Sequence, residues 1–271
     1  MTTLAETDWR LVGETANPGP LNMALDEIAA ETAATGGPRT VRVYSWEPST
    51  LSLGYNQRPE TIDWEYCERE DITVTRRPTG GGAIYHDSFG DISYSIVAPA
   101  DELPGNLMES YELLCEPLMD AFDRMGVDAF FAESEHPAIH EPACYLRQLH
   151  PAHDVLAGEG RKISGNAQYR QRDAVIQHGS ITFARTTERH LGTFTDPPDS
   201  DDFETRVTSV REQSGLDRET AVDTLETALR ERFDVHEGTF SDDELDKASE
   251  RARQKYANEA WTREREDPTA A

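Results

Sequence analysis

The sequence predicts an α+β domain on a mixed or antiparallel sheet. Strand-like apolar alternation and helix-spaced apolar residues interleave along the chain, and many of these runs are joined by short turns. At 271 residues the chain can bury a large core as one domain or as one domain with a small appendage. After Pro18-Gly19-Pro20, residues 20–34 place Leu21, Leu25, Ile28 and Ala29 on one helical face. Val41 to Trp46 and Thr50 to Tyr55 alternate like paired strands across Glu47-Pro48-Ser49. A short helix near 60–70 precedes a strand from Ile72 to Thr75. A glycine-rich loop then leads to Ala83-Ile84-Tyr85 and to a strand from Asp91 to Ala98. Residues 106–125 form the clearest helix, with Leu107, Tyr111, Leu114, Leu118 and Phe122 at helical spacing. Strands follow at 127–131, 153–157, 161–169 and 174–183. Thr195 to Asp202 is a Pro/Asp-rich connection, and residues 218–232 and 241–258 read as charged amphipathic helices. The expected organisation is a core over 1–195, with 196–271 as a helical part of the same domain.

Composition narrows the function classes. Acidic residues number 52 against 26 basic, a net charge of −26, which opposes non-specific binding to nucleic-acid phosphates. The acids are scattered among apolar runs, which argues against disorder and for adaptation to high salt, where screening relieves self-repulsion. No apolar run approaches the roughly 20 residues that span a bilayer. The start, Met1 to Arg10, lacks the basic and apolar segments of a signal peptide, so a cytoplasmic protein is expected. Cys67, Cys115 and Cys144 are odd in number and share no metal-like spacing.

Two segments carry chemistry. In Arg76-Arg77-Pro78-Thr79-Gly80-Gly81-Gly82-Ala83-Ile84-Tyr85-His86-Asp87, two cations run into three glycines. Such a loop lets backbone N–H groups close on a ligand, and the arginines offer forked donors to a carboxylate or phosphate. The chain has only three lysines, and two of them, Lys247 and Lys255, lie in the charged tail. The third, Lys162, sits in Gly160-Arg161-Lys162-Ile163-Ser164-Gly165-Asn166-Ala167-Gln168 between strand-like runs. In a chain that otherwise uses arginine, a compact ammonium is wanted there.

Together these segments resemble the lipoate–protein ligase A family with its octanoyltransferase relatives, over roughly residues 10 to 262. Asn22-Met23-Ala24-Leu25-Asp26-Glu27 is similar to the family's first helix, and Leu53-Gly54-Tyr55-Asn56-Gln57 to its "GxxQ" strand end. Arg76 to Asp87 resembles the acyl-binding loop, Lys162 to Gln168 the lysine strand, and Gln177-His178-Gly179-Ser180-Ile181 the "HG(S/T)" strand. The resemblance implies the class II synthetase-like fold shared with biotin protein ligases. It also implies transfer of a lipoyl or octanoyl group to a lysine on a lipoyl carrier domain, of a 2-oxoacid dehydrogenase complex or of the glycine cleavage H protein. Neither nucleic acid nor membrane is implied as a partner.

By the same resemblance, Lys162 supplies positive charge at the acyl carbonyl, and Gly80, Gly81 and Gly82 let the acyl chain lie against backbone. Arg76 or Arg77 contacts a nucleotide phosphate, and His86 braces the loop. Gly165, Ala167 and His178 complete the acyl- and nucleotide-binding set. Two activation routes are open. The ligase route makes an acyl-adenylate from free acid, ATP and Mg²⁺, with Asp154 holding metal or deprotonating the acceptor lysine. Gly82 favours this route, because cysteine-type octanoyltransferases usually show arginine there. The alternative takes acyl from acyl carrier protein through a Cys144 thioester, and a further alternative is a non-catalytic acyl-binding module. Bacterial-type ligases carry an additional C-terminal domain, so a chain ending after Trp261 suggests a transferase or a ligase with a separate accessory subunit. The reading adopted is the ATP-dependent ligase.

Overall fold

The computed structural model describes residues 8–151, 153–171 and 173–270. Most of the polar start and Ala152, beside His153-Asp154, lie outside them. The helices are α1 (Gly19–Ala34), α2 (Trp64–Arg69), α3 (Leu107–Arg124), α4 (Thr187–Gly192), α5 (Ser200–Arg206), α6 (Val210–Ser214), α7 (Arg218–Phe233) and α8 (Asp242–Arg251). The strands are β1 (Trp9–Asn17), β2 (Arg39–Trp46), β3 (Thr50–Leu53), β4 (Thr73–Arg76), β5 (Ile84–His86), β6 (Asp91–Pro99), β7 (Ala129–Phe131), β8 (Asp154–Ala157), β9 (Arg161–Arg170), β10 (Ala174–Thr182) and β11 (His236–Glu237). Eight of them form one sheet, ordered β11-β1-β2-β6-β10-β9-β8-β7, and β4-β3-β5 form a smaller one. Among the described strands, only β1 with β2 and β11, and β3 with β4, pair in parallel. The architecture is α+β, with a mixed and largely antiparallel sheet.

Each face of the large sheet is covered by helices. Helices α3 and α7 bury Leu114, Leu118, Phe122, Leu225, Leu229 and Phe233 against Val41, Ile92, Ile96 and Val175. On the other face α1 packs Met23, Leu25 and Ile28 with Tyr44, Trp46, Val97 and Ile176. Phe240, Ala248, Tyr256 and Trp261 join this second core from the end of the chain. Full burial of each such side chain contributes about 1.5–3 kcal/mol. The small sheet has a core of its own around Leu51, Leu53, Ile84 and Phe194.

Strand β1 departs from the sequence reading. Its Arg10 is buried, which disguises the segment as polar, but the guanidinium pairs with Glu244 at 2.6 Å from α8, far along the chain. Breaking such a buried pair costs about 3–5 kcal/mol. The strand expected to reach Tyr55 ends at Leu53, because the Tyr55 N–H donates to Thr79 O of the glycine loop at 2.8 Å. The second half of the expected 241–258 helix unwinds into a π turn over Ala252–Tyr256. Short helix α4 lies before the expected helical part, and α5 and α6 lie within it, ahead of the first helix placed there at 218–232.

Candidate active site

The strand registers set the floor of the site. Gly165 lies opposite Ser180, Ser180 opposite Ser93, and Ser93 opposite Tyr44, so these four share one face in a row across β9, β10, β6 and β2. Three of the four are small, which leaves room above the sheet. That room is a cleft of about 410 Å³, bounded by Met23 of α1, Trp46, and Ser52, Gly80, Gly81, Ile84 and His86 of the small sheet and glycine loop.

Lys162 reaches this face through an irregularity. It lies three residues from Gly165, an odd spacing that in a regular strand points the two side chains to opposite faces. Asp154 pairs with Gly165 and Val155 with Ser164, but Leu156 pairs with Lys162, so Ile163 is skipped as a bulge. The bulge turns Lys162 into the cleft beside Asp154 and Gly165. Its backbone carbonyl is held by the Thr208 N–H at 3.0 Å.

Lys162 Nζ lies 2.7 Å from Asp154 Oδ1, with both side chains nearly fully buried. Burial alone would push the ammonium down, but the Asp154 carboxylate and Cys144 outweigh it and hold Lys162 above the ordinary lysine value. Burial would likewise raise the Asp154 carboxyl, but the Lys162 charge and His153 leave it well below the usual carboxylate range. The pair is therefore ionised near neutrality. Lys162 Nζ also donates to Cys144 O at 3.2 Å.

Cys144 opens a short 3₁₀ turn, Cys144–Leu146, at the rim of the cleft, and is partly exposed. The exit of the glycine loop clamps it: the Ala83 N–H donates to Pro142 O at 2.7 Å and the Cys144 N–H to Ala83 O at 2.9 Å. A Cβ built at Gly165 would lie 3.3 Å from Lys162 Nζ and 3.9 Å from Cys144 Sγ, so amine and thiol flank one small volume. Tyr145 follows, donating to Ser180 O at 3.0 Å, with its ring 5.1 Å from Lys162 Nζ.

The arginines occupy places other than those expected. Arg77 lines the cleft but spends its donors on Thr79 Oγ1 and on the carbonyls of Ser52, Gly80 and Gly82, bracing the loop from within. Arg76 does not line the cleft. It bonds the carbonyls of Gly54, Tyr55, Gln57, Trp261 and Thr262, tying the C-terminal segment to β4. The forked donors that suggested a phosphate are thus turned to carbonyls. His86 stacks on Trp46 at 4.0 Å and shares a 2.9 Å hydrogen bond with Ser52 Oγ. Burial holds its imidazole below the usual histidine range, although Asp91 lies 3.3 Å from Nδ1. His178 reaches Thr79 Oγ1 at 2.8 Å and faces Ala167 across the strand pair, so it joins loop to sheet.

Gly80 and Gly81 line the cleft, and Gly81 has φ +95°, the left-handed region in which a Cβ is strained. Gly82 does not line it. A Cβ there would meet Pro142 O at 2.7 Å, Cys144 N at 2.8 Å and Arg147 Cδ at 3.0 Å, so this glycine lets the cysteine loop pack close. Asp91 went unnoticed in the sequence. This buried carboxylate accepts from Trp46 Nε1 at 3.1 Å, Ser93 Oγ at 2.6 Å and Ser180 Oγ, and holds the cleft floor together. Its signal was an acid opening a strand that carries no other charge.

A helix-backed mixed sheet under a glycine-rich loop defines the class II synthetase-like fold of lipoate protein ligases. A model of the lipoyl protein ligase A/B catalytic domain matches residues 18–234, and the chain belongs to that family. An octanoyltransferase LipM from Geobacillus kaustophilus is 31% identical, covering 95% of this chain and 99% of its own. Octanoyltransferase LipM from Bacillus subtilis is 30% identical over 95% and 98%. Among solved structures, a bi-partite lipoate protein ligase from Thermoplasma acidophilum superposes with a TM-score of 0.79 at 22% identity, covering 95% and 96% of the two chains. Lipoate-protein ligase A bound with ATP gives 0.78 at 25%, covering 94% and 98%.

The LipM relatives correct the expectation of a ligase making an acyl-adenylate from free acid and ATP. They support the transferase alternative instead. The two residues that favoured the ligase have other roles. Gly82 answers to packing against the cysteine loop. Asp154 engages Lys162 through Oδ1 and the His150 N–H through Oδ2 at 2.8 Å, and among the described residues no three His, Cys, Asp or Glu gather as metal ligands. Both carboxylate oxygens of Asp154 are thus already engaged by this chain's own donors. Among the described residues no helix is long and apolar enough to cross a membrane.

Proposed function

We propose that this enzyme moves an octanoyl group from a thioester donor, an acyl carrier protein, to a lysine of a lipoyl carrier domain by way of a Cys144 thioester. The observation that carries this reading is the shared volume at the cleft rim, where the Cys144 thiol and the Lys162 ammonium both face Gly165. In the first half, the Cys144 thiolate attacks the donor carbonyl. The Sγ–C bond forms as the donor C–S bond breaks, and the departing donor sulfur takes up the proton that Cys144 lost. In the second half, the acceptor lysine's neutral amine attacks the same carbon. An amide forms, the Sγ–C bond breaks, and the amine's proton returns to Cys144.

Lys162 acts throughout as a fixed positive charge. It stabilises the oxyanion of both tetrahedral intermediates. The acyl chain lies over Gly165, Ala167 and Ser180 and under Gly80 and Gly81. The acceptor is a lipoyl domain of a 2-oxoacid dehydrogenase complex or the glycine cleavage H protein. The Thermoplasma ligase, described together with its E2 lipoyl domain, supports that class of partner. Purified protein, an octanoyl thioester donor and a lipoyl domain, mixed without ATP in concentrated salt, should yield octanoylated lipoyl domain by mass spectrometry. Modification that appeared only with octanoate and ATP would overturn the proposal.

The Lys162–Asp154 pair predicts a pH response. Lys162 is raised, so its contribution to stability is complete below the ordinary lysine value and is lost as pH rises through the raised one. Asp154 is depressed, so its contribution is present above 3.8 and is lost as pH falls through the lowered value. Asp154→Asn removes the larger of the two groups that hold Lys162 up, so burial weighs more heavily against the ammonium. The alkaline limb of the transfer rate should move to lower pH in this variant. A limb that stays in place would show that Lys162 is not the charge that matters.

Gly81→Val should abolish acyl binding without unfolding the protein. The positive φ resists a β-branched residue by about 1–2 kcal/mol, and the new Cβ would press on Arg77 Nη2 at 2.9 Å. Calorimetry with octanoate on the folded variant measures this. An unchanged affinity would displace the acyl chain from the glycine loop.

A further inference from the structure

The cleft lining runs against the charge of the chain. In a protein with net charge −26, it holds three cations, Arg77, Arg147 and Lys162, against two acids, Asp154 and Glu135. Most of these groups are committed. Lys162 is paired with Asp154, Arg77 is spent on the loop, and Glu135 accepts from Gln148 Nε2 at 2.6 Å.

Arg147 differs. Its stem passes over Gly82, with Cδ 3.0 Å from where a Cβ would stand, three residues after Cys144. Its side chain is 40% exposed, and among the described residues its guanidinium pairs with Glu141 at 3.3 Å, whose side chain is 66% exposed. Beneath it the Arg206 guanidinium donates to Arg147 O at 3.1 Å and Pro137 O at 3.0 Å, so a second cation underlies the same turn. Stacked His150 and His153, 4.8 Å apart, complete the rim. A partly exposed forked donor at the entrance, released from a solvated glutamate at little cost, suits an anion that arrives with the substrate.

We infer that Arg147 binds the phosphate of the thioester donor's prosthetic arm. The inference rests on the Cys144 route and names the part of the donor that the entrance recognises. The arm carries its phosphodiester at one end and its thioester at the other. A cation on the same turn as Cys144 anchors the first while the second enters between Cys144 and Lys162. An acceptor lysine brings no such anion, so Arg147 acts on the first half-reaction alone.

The test compares octanoyl-4′-phosphopantetheine with octanoyl-pantetheine, which lacks the phosphate, at fixed ionic strength. The rate of acyl-enzyme formation is read by intact mass. Wild-type protein should prefer the phosphorylated donor by on the order of tenfold in kcat/KM, the size of one charge-assisted bond at a partly exposed site. Arg147→Gln should erase that preference, Arg147→Lys should retain part of it, and added salt should shrink it in the wild type. A preference that survived in Arg147→Gln, or no preference in the wild type with both donors acylating Cys144, would overturn the inference and leave the Cys144 route standing. No acylation of the wild type by either donor would overturn the route and the inference together.

Discussion

Cys144→Ser protein should transfer no octanoyl group above background, a loss on the order of 10⁴-fold or more, as expected when a nucleophile is removed. A serine hydroxyl fits the same 3₁₀ turn, and the clamp from Ala83 uses backbone atoms alone, so the fold is retained. The loss is chemical. At neutral pH an unactivated hydroxyl is a far weaker nucleophile than a thiol. Melting temperature and far-ultraviolet circular dichroism should match the wild type. Octanoylation of a lipoyl domain at more than a few per cent of the wild-type rate would remove Cys144 from the chemistry.

Lys162→Ala should cost about 10²–10³ in rate, the usual loss when one preorganised electrostatic donor is removed. It should also destabilise the protein by about 3–5 kcal/mol, because Asp154 is left as an uncompensated buried charge. The two effects separate in a double variant. Lys162→Met with Asp154→Asn removes the charge and its partner together, so it should recover most of the stability and none of the activity. Lys162→Arg should not rescue. The larger, planar guanidinium does not reproduce a compact ammonium held 2.7 Å from Asp154 Oδ1 and 3.2 Å from Cys144 O. Activity recovered in the double variant, measured at a temperature at which it is folded, would show that Lys162 acts only through stability.

What the sequence could reveal follows from how local each feature is. Helix α3 was legible because its apolar spacing and its Asn106 cap, which accepts from Met108 and Glu109 N–H, lie within one stretch. Lys162 stood out because lysine is scarce in this chain. The bulge at Ile163 that turns Lys162 into the cleft could not be read, since it exists only in the pairing with β8. Strand β1 was hidden because the charge that made it look polar is neutralised by Glu244 at the far end of the chain. Cations before glycines suit a phosphate, which points to Arg76 or Arg77 as its partner, and only the folded loop reveals the carbonyls that occupy them. Gly82 misled for a related reason. The residues that need its missing side chain, Pro142 and Cys144, lie 60 residues away and meet it only in three dimensions.

The most direct test of the Cys144 route is the mass of the enzyme itself. Wild-type protein incubated with an octanoyl thioester donor, without ATP and without acceptor, should gain the mass of one octanoyl group. Peptide mapping should place it on Cys144, hydroxylamine should release it, and added lipoyl domain should discharge it at the rate of overall transfer. An enzyme that stays unmodified while it octanoylates the lipoyl domain would contradict the account.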